Sequence, residues 1–101
     1  MLIYNVTIKV SWSIHDNWLL WMKEQHIPDV MASGCFDESR LVRLLEIDEE
    51  DGPTYAAQYH TTDYDRYQQY ISVFAPAMRK SVTDNWGDQL VLFRSLMEVV
   101  N

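Results

Sequence analysis

Hydrophobic and polar residues alternate at the start of the chain, the pattern of a β-strand with one buried face. The alternating hydrophobic positions are Leu2, Tyr4, Val6, Ile8 and Val10. Three later segments have a similar strand-like composition and are predicted as strands at 36–47, 54–61 and 89–100. The acidic run 48–53, which contains Asp51 and Gly52, is typical of a hairpin loop between two of them. The pattern therefore predicts four strands.

Two segments between these strands have the three-to-four-residue spacing of amphipathic helices. The first runs from about 14 to 31, and Trp18, Met22 and His26 lie on one of its faces. The second runs from about 63 to 85, with a stripe formed by Tyr67, Tyr70, Ile71, Phe74, Met78 and Val82. Pro28 and Pro76 fall inside these segments, and a bend is expected at each because proline lacks a backbone donor.

The predicted order of elements is strand, helix, strand, strand, helix, strand. This is the βαββαβ arrangement of ferredoxin-like folds, in which both helices cover one face of a four-stranded antiparallel sheet. We therefore expect an α+β protein that consists of a single ferredoxin-like domain over residues 1–101.

The last strand carries hydrophobic residues on both of its faces. One face has Val91, Phe93, Met97 and Val99, and the other has Leu90, Leu92, Arg94 and Leu96. Because two helices cover only one face of a sheet, the other face would expose a larger apolar patch than monomers usually show. A homodimer whose sheets pack face to face would bury it, with roughly 1.5–3 kcal/mol gained for each large side chain. The alternative is a strand that is buried within one protomer.

Charge and cysteine content narrow the class of protein. The net charge of −7 repels phosphate backbones, so no nucleic-acid binding is expected. No hydrophobic run approaches the ~20 residues of a membrane span, and the N-terminus lacks the pattern of a signal peptide. The lone Cys35 is expected to be a small buried hydrophobe. We expect a soluble, cytoplasmic protein that does not bind membranes.

Five segments together resemble the bacterial family known as domain of unknown function 4286. They are YNVT (4–7), WLLWMKEQHIPDVM (18–31), TYAAQY (54–59), APAMR (75–79) and VLFRSLMEVV (91–100). The resemblance covers the chain from end to end and implies a dimeric α+β barrel, with no established activity. More distantly, the helix that ends in histidine and proline resembles antibiotic-biosynthesis monooxygenase-like proteins, EthD-like proteins and rhamnose mutarotases. Residues of the first helix and of the sheet often line a small-molecule pocket in such proteins.

His26 is the first candidate for chemistry, because its titratable ring ends the apolar face formed by Trp18 and Met22. It would act as a general base, or as a hydrogen-bond donor to a ligand held between helix and sheet. The alternative is a structural histidine that is satisfied by a backbone carbonyl or by Asp29. Tyr59 is expected in the wall of the same pocket, where its hydroxyl would either meet the ligand or bond a backbone carbonyl.

Arg94 interrupts an otherwise apolar strand face. A buried arginine must be paired, so Arg94 would either grip an anionic group of a ligand or form an ion pair. Candidate partners for the ion pair are Glu46, Glu98 or a carboxylate of a second protomer. Phe93 is a further candidate for the pocket lining. A ligand site of this kind predicts a cavity of ~300 Å³ beside His26.

No metal site and no cofactor are predicted. The three histidines, His15, His26 and His60, lack the close spacing of zinc or copper ligands. The chain has no glycine-rich phosphate loop and no nucleophile motif. Three functional classes stay open. They are a small-molecule binding protein or cofactor-independent enzyme, a structural or protein-interaction dimer without a cavity, and a sensor that binds a metabolite without turnover.

Overall fold

The four predicted strands form one antiparallel sheet in the computed structural model, which describes residues 1–101. The strands are β1 (Leu2–Val10), β2 (Glu38–Arg43), β3 (Thr54–Thr61) and β4 (Leu90–Glu98). Their order in the sheet is β2-β3-β1-β4, so β1 and β3 are central and the other two are edge strands. The predicted ferredoxin-like fold is confirmed.

Each helical connection consists of two α-helices joined by a wider π-helical turn. The α-helices are α1 (His15–Trp21), α2 (Ile27–Ala32), α3 (Tyr64–Gln69) and α4 (Ala75–Trp86), and the π turns are Met22–His26 and Tyr70–Phe74. A short 3-10 turn, Trp12–Ile14, precedes α1. None of these helices has both the length and the apolar character that crossing a bilayer requires.

The two prolines account for the π turns. Pro28 and Pro76 each lie two residues after a π turn, in the first turn of the α-helix that follows. A proline inside a helix lacks a donor and its ring crowds the carbonyl one turn earlier, and a wider turn relieves that conflict. Where the sequence predicts a bend, each connection therefore has a local widening of the helix.

The sheet has one face under the helices, the covered face. From β1 it presents Tyr4, Val6 and Ile8, which lie in register with Tyr59, Ala57 and Tyr55 of β3 and with Leu96, Arg94 and Leu92 of β4. Against these pack buried residues of both connections, namely Trp18, Met22, Val30, Tyr70 and Ala75. The covered face and the helices together form one aromatic-rich core.

No element of the protomer covers the opposite face, called the open face below. Its edge on β4 is apolar, and Val91, Phe93 and Met97 are exposed there. Towards the central strands the open face becomes polar, and Asn5 Nδ2 donates a hydrogen bond of 2.9 Å to Thr7 Oγ1. The hydrophobic residues on both faces of the last strand therefore leave an exposed apolar surface in the protomer.

Strand β2 ends earlier than predicted, because the chain leaves the sheet after Arg43. Arg43 donates two hydrogen bonds to the carboxylate of Glu49, which holds loop 44–53 against the end of the sheet. Gly52 approaches β1 so closely that a Cβ would collide with the carbonyl oxygen of Val10, so only glycine fits. The acidic segment is thus packed on the sheet and is not a free hairpin tip.

Candidate functional site

A narrow cleft lies between the helices and the covered face. It is lined by 16 residues, of which 13 are hydrophobic. The lining includes all five residues predicted to bind a ligand, namely Trp18, Met22, His26, Tyr59 and Arg94. Trp18, Met22 and His26 lie on one face of the first helical connection. That face is opposite the positions of β3 and β4 that point to the covered face, which include Tyr59 and Arg94.

The cleft is much smaller than the predicted cavity of ~300 Å³, which is wrong for this conformation. The room inside it is about 30 Å³, enough for about two water molecules. The predicted contribution of Phe93 is also wrong, because its side chain points to the open face and is 59 % exposed. Phe93 precedes Arg94 on β4, and neighbouring residues of a strand face opposite sides.

Trp18 provides an unpaired donor in the cleft wall. Its side chain is fully buried, and its ring centroid lies 5.2 Å from that of Tyr55. The indole Nε1 has no hydrogen-bond partner within the protein. A buried donor without a partner is unfavourable by about 1–3 kcal/mol and is therefore uncommon. A water molecule or an oxygen atom of a ligand would satisfy this N–H group.

His26 is a neutral ring that stacks on Trp21, with ring centroids 4.8 Å apart. Burial lowers the pKa of His26 to about 4, although the nearby Asp29 carboxylate acts in the opposite direction. Asp29 does not bond to the imidazole and instead accepts a hydrogen bond of 2.8 Å from Gln25 Nε2. An imidazole with so low a pKa is a weak base. Of the two predicted roles, the lowered pKa therefore favours hydrogen bonding by the neutral ring over general-base catalysis.

Three tyrosines form an aromatic wall in the cleft. The ring centroid of Tyr4 lies 6.1 Å from that of Tyr59 and 5.7 Å from that of Tyr70. Burial raises the pKa of Tyr59 and that of Tyr70 above the usual range, and Tyr4 adds to both effects. The hydroxyl groups of Tyr59 and Tyr70 therefore stay protonated at neutral pH and can donate hydrogen bonds.

Arg94 lies at the mouth of the cleft on edge strand β4. The prediction that Arg94 is buried is wrong, because the residue is exposed. It forms no ion pair with Glu46, Glu98 or any other carboxylate of the protomer. An edge strand has no neighbouring strand on one side, so its side chains can reach water there. Water can therefore solvate the unpaired guanidinium of Arg94.

Arg79 is a lining residue that the sequence analysis did not identify. It comes from α4, and its Nη2 lies 3.5 Å from the hydroxyl oxygen of Tyr4. The available signal was its position beside Met78 and one helical turn after Ala75, both of which face the sheet. Arg79 also forms no ion pair. The lining thus has two arginines and no aspartate or glutamate.

The polar groups of the cleft suit the binding and orientation of a molecule. The indole, hydroxyl and guanidinium groups are donors, and the thiol of Cys35 is buried in the core outside the lining. The fold and the cleft together define a ferredoxin-like α+β domain with an apolar cleft whose polar groups are mainly donors.

The chain belongs to the family described as Domain of unknown function (DUF4286), which it matches over residues 1–100. The family resemblance seen in the sequence is thereby confirmed. No curated protein matches the chain.

Several solved structures are similar to this chain along its whole length. An ethyl tert-butyl ether D (EthD) family protein from Bacillus halodurans has a TM-score of 0.70 and 15 % identity, and 98 % of this chain and 100 % of that chain are covered. SnoaB, a cofactor-independent oxygenase from Streptomyces nogalater, has a TM-score of 0.67 and 11 % identity, with 99 % and 93 % covered. A dimeric ferredoxin-like protein of unknown function from Jannaschia sp. has a TM-score of 0.58 and 16 % identity, with 98 % and 100 % covered. At these identities the similarity shows the fold alone.

Proposed function

We propose that this protein binds a small organic molecule in the cleft between its helices and its sheet. The observation that carries the proposal is the buried Nε1 of Trp18, which has no partner although Trp18 lines the cleft. An oxygen atom of a ligand would satisfy this donor, and the apolar walls would bind the rest of the molecule. Met22, His26, Tyr59 and Arg94 complete the proposed site.

The proposed ligand must widen the cleft, because the present room of about 30 Å³ is too small for an aromatic ring. Met22 and Met78 both lie in the lining, and methionine adapts its shape at little energetic cost. Met78 is only half-buried, and Arg79 and Arg94 are exposed. We therefore place the opening between α4 and β4, where side chains can move without disturbing the core.

We propose binding and assign no reaction. SnoaB is a cofactor-independent oxygenase, so a fold of this shape is compatible with chemistry on a bound organic molecule. The lining of this chain offers donors, but His26 is a weak base because burial lowers its pKa to about 4. Holding a ligand is the activity that these groups support best.

Calorimetric titration with 2-naphthalenemethanol, an uncharged aromatic alcohol, tests this proposal. We expect the wild type to bind the alcohol and Trp18→Phe to bind it roughly three- to ten-fold more weakly, because one hydrogen bond is lost. Trp12→Phe is the matched control, since Trp12 is exposed and lies outside the cleft. Absence of binding to the wild type, or equal effects of the two variants, would contradict the proposal.

We also propose that the binding unit is a homodimer formed through the open faces. Val91 and Phe93 are 71 % and 59 % exposed there, and each would contribute roughly 1.5–3 kcal/mol when buried. Similar solved structures from Jannaschia sp. and from an uncultured marine organism are described as dimeric ferredoxin-like proteins. Two open faces in contact would bury these residues and pair the polar strips of the central strands.

Light scattering of Phe93→Asp tests the homodimer. We expect the wild type to have twice the protomer mass of 11.9 kDa and the variant to be a monomer. Val73→Asp is the control, because Val73 is equally exposed, at 61 %, but lies on the helical side. A wild type that is monomeric at micromolar concentration would refute the assembly and leave the cleft proposal standing.

The narrowness of the cleft favours a second candidate function. With room for about two water molecules, the cleft is also compatible with a structural or protein-interaction dimer that binds no ligand. The titration above separates the two functions, because an interaction dimer would show no binding heat with any small apolar molecule.

A further inference from the structure

We infer that the ligand of this cleft is an organic acid whose carboxylate is held between the guanidinium groups of Arg79 and Arg94, with its apolar part inside the cleft. This inference rests on the proposed function, which requires only an apolar molecule with an oxygen atom. The inference specifies that the ligand is negatively charged, and it includes Arg79 among the residues that bind the ligand.

The ion pairs of the protein leave these two arginines free. The chain has 15 aspartate and glutamate residues and a net charge of −7, so carboxylates are abundant. Arg43 and Arg66 each form an ion pair, with nitrogen–oxygen distances of 2.7 and 2.9 Å. Arg79 and Arg94 form none, and Arg40, which is also unpaired, lies on the open face instead. In an acidic protein, the two arginines at the cleft mouth have thus been left without an internal counter-ion.

The cleft lining carries positive charge, although the protein as a whole is acidic. Its ionisable groups are the two arginines, the neutral His26 and tyrosines, and no carboxylate is present to repel an anion. Apolar walls strengthen the attraction between charges because they exclude water. An anion that enters the cleft therefore meets two cations and no like charge.

Arg79 comes from α4 and Arg94 from β4, and both residues line the cleft. Arg79 Nη2 donates to the Tyr4 hydroxyl oxygen at 3.5 Å, which leaves the hydrogen of that hydroxyl free for a ligand. Burial and Tyr4 raise the pKa of Tyr70, and the positive charges of Arg79 and Arg94 act in the opposite direction. Tyr70 lines the same cleft as both arginines. A carboxylate placed there would accept hydrogen bonds from both arginines.

A carboxylate from the second protomer does not replace the ligand in this arrangement. Arg94 lies in register with Val6 on the covered face, whereas the proposed dimer forms through the open face. The two guanidinium groups therefore stay available when the dimer assembles.

Calorimetry on the intact protein with two aromatic probes of similar shape tests the inference. 2-Naphthoate carries the carboxylate, and 2-naphthalenemethanol carries an uncharged alcohol in its place. We expect naphthoate to bind roughly ten- to one-hundred-fold more tightly, since hydrogen bonds to charged groups are the stronger ones. Added salt should weaken the binding of naphthoate and leave that of the alcohol unchanged.

The double variant Arg79→Gln/Arg94→Gln should remove the preference for naphthoate and keep the affinity for the alcohol. Lys23→Gln is the control, because Lys23 is exposed, unpaired and outside the lining. It changes the net charge without altering the cleft, so its preference should match that of the wild type. Retained binding of the alcohol also shows that the double variant is folded.

Two outcomes would overturn the inference in different ways. If the wild type binds both probes equally, or if the double variant keeps its preference, the ligand is not held by these arginines but the cleft still binds apolar molecules. If neither probe binds, the proposed function itself fails and the inference fails with it.

Discussion

The covered face and the open face belong to the same four strands but differ in which groups they leave unsatisfied. On the covered side the unsatisfied groups are polar, because Nε1 of Trp18 and Nε1 of Trp86 are buried without partners. On the open side they are apolar, because Val91 and Phe93 are largely exposed. A small molecule with an oxygen atom would complete the first face, and a second protein surface would complete the other. The contrast teaches that the two proposals, ligand binding and assembly, depend on opposite faces of one sheet.

The open face has one polar exception. His60 Nε2 is buried there without a partner, while Nδ1 lies 3.6 Å from a carboxylate oxygen of Glu38. The open face therefore holds an unpaired polar nitrogen as well as its exposed apolar edge.

The largest difference between the two faces is expected in protomer stability. Trp18→Ala should lower the free energy of unfolding by about 3–5 kcal/mol at every protein concentration, because it leaves a cavity in the core. Phe93→Ala should lower it only at concentrations where the dimer forms. Urea denaturation over a range of protein concentrations measures both effects. If Phe93→Ala lowered the free energy of unfolding as much as Trp18→Ala does, and at every protein concentration, the two faces would not differ in this way.

The pH dependence of stability should reveal the buried ring of His26. Its pKa falls from 6.5 to about 4 on folding, so the unfolded state takes up the proton first as the pH drops. The full stabilisation is present above pH 6.5. It is lost progressively as the pH falls towards about 4, and the free energy of unfolding decreases by roughly 3 kcal/mol in total. The difference in unfolding free energy between the wild type and His26→Gln measures this loss. A difference that does not change with pH would contradict the burial of the ring.

Widening the cleft should cost stability but improve binding. Met78→Ala is expected to lower the free energy of unfolding by roughly 1–2 kcal/mol, less than a fully buried methionine would. It should strengthen the binding of 2-naphthalenemethanol, because the ring no longer has to displace the thioether. Met31→Ala is the control, since Met31 packs against the core outside the cleft. Equal affinities in these two variants would argue against an opening beside α4.

The smallest expected effect belongs to Val91→Thr on the open face. This nearly isosteric change should leave protomer stability within about 0.5 kcal/mol of the wild type, because Val91 is exposed. It should raise the dissociation constant of the dimer several-fold, since a hydroxyl group enters the interface. Analytical ultracentrifugation compares it with Val73→Thr on the helical side. No shift relative to that control would place Val91 outside the interface.

The placement of the cleft residues could be predicted because it follows from the helical spacing of three to four residues and from the two-residue alternation of strands. Trp18, Met22 and His26 recur at helical spacing, while Tyr59 and Arg94 occupy alternate strand positions that face them. The same alternation explains the error at Phe93, which cannot share a face with its neighbour.

Other features of the site depend on packing, which periodicity does not describe. The volume of the cleft follows from side-chain rotamers, and the π turns follow from how the chain relieves the conflict at Pro28 and Pro76. The exposure of Arg94 depends on the edge position of β4 in the strand order. Beyond the early end of β2, the side-chain hydrogen bonds from Arg43 to Glu49 hold the following loop, and the hydrophobic pattern does not reveal such contacts.

The indole N–H resonance of Trp18 tests the ligand site most directly, in nitrogen-15-labelled protein titrated with 2-naphthalenemethanol, whose oxygen atom would accept from this group. The chain has four tryptophans, and Trp12 is an internal control because its Nε1 already donates to the Glu49 carbonyl at 2.7 Å. We predict that the Trp18 signal moves downfield as the probe binds and that the Trp12 signal stays in place. A Trp18 signal that does not move when binding is saturated would show that the cleft is not the ligand site.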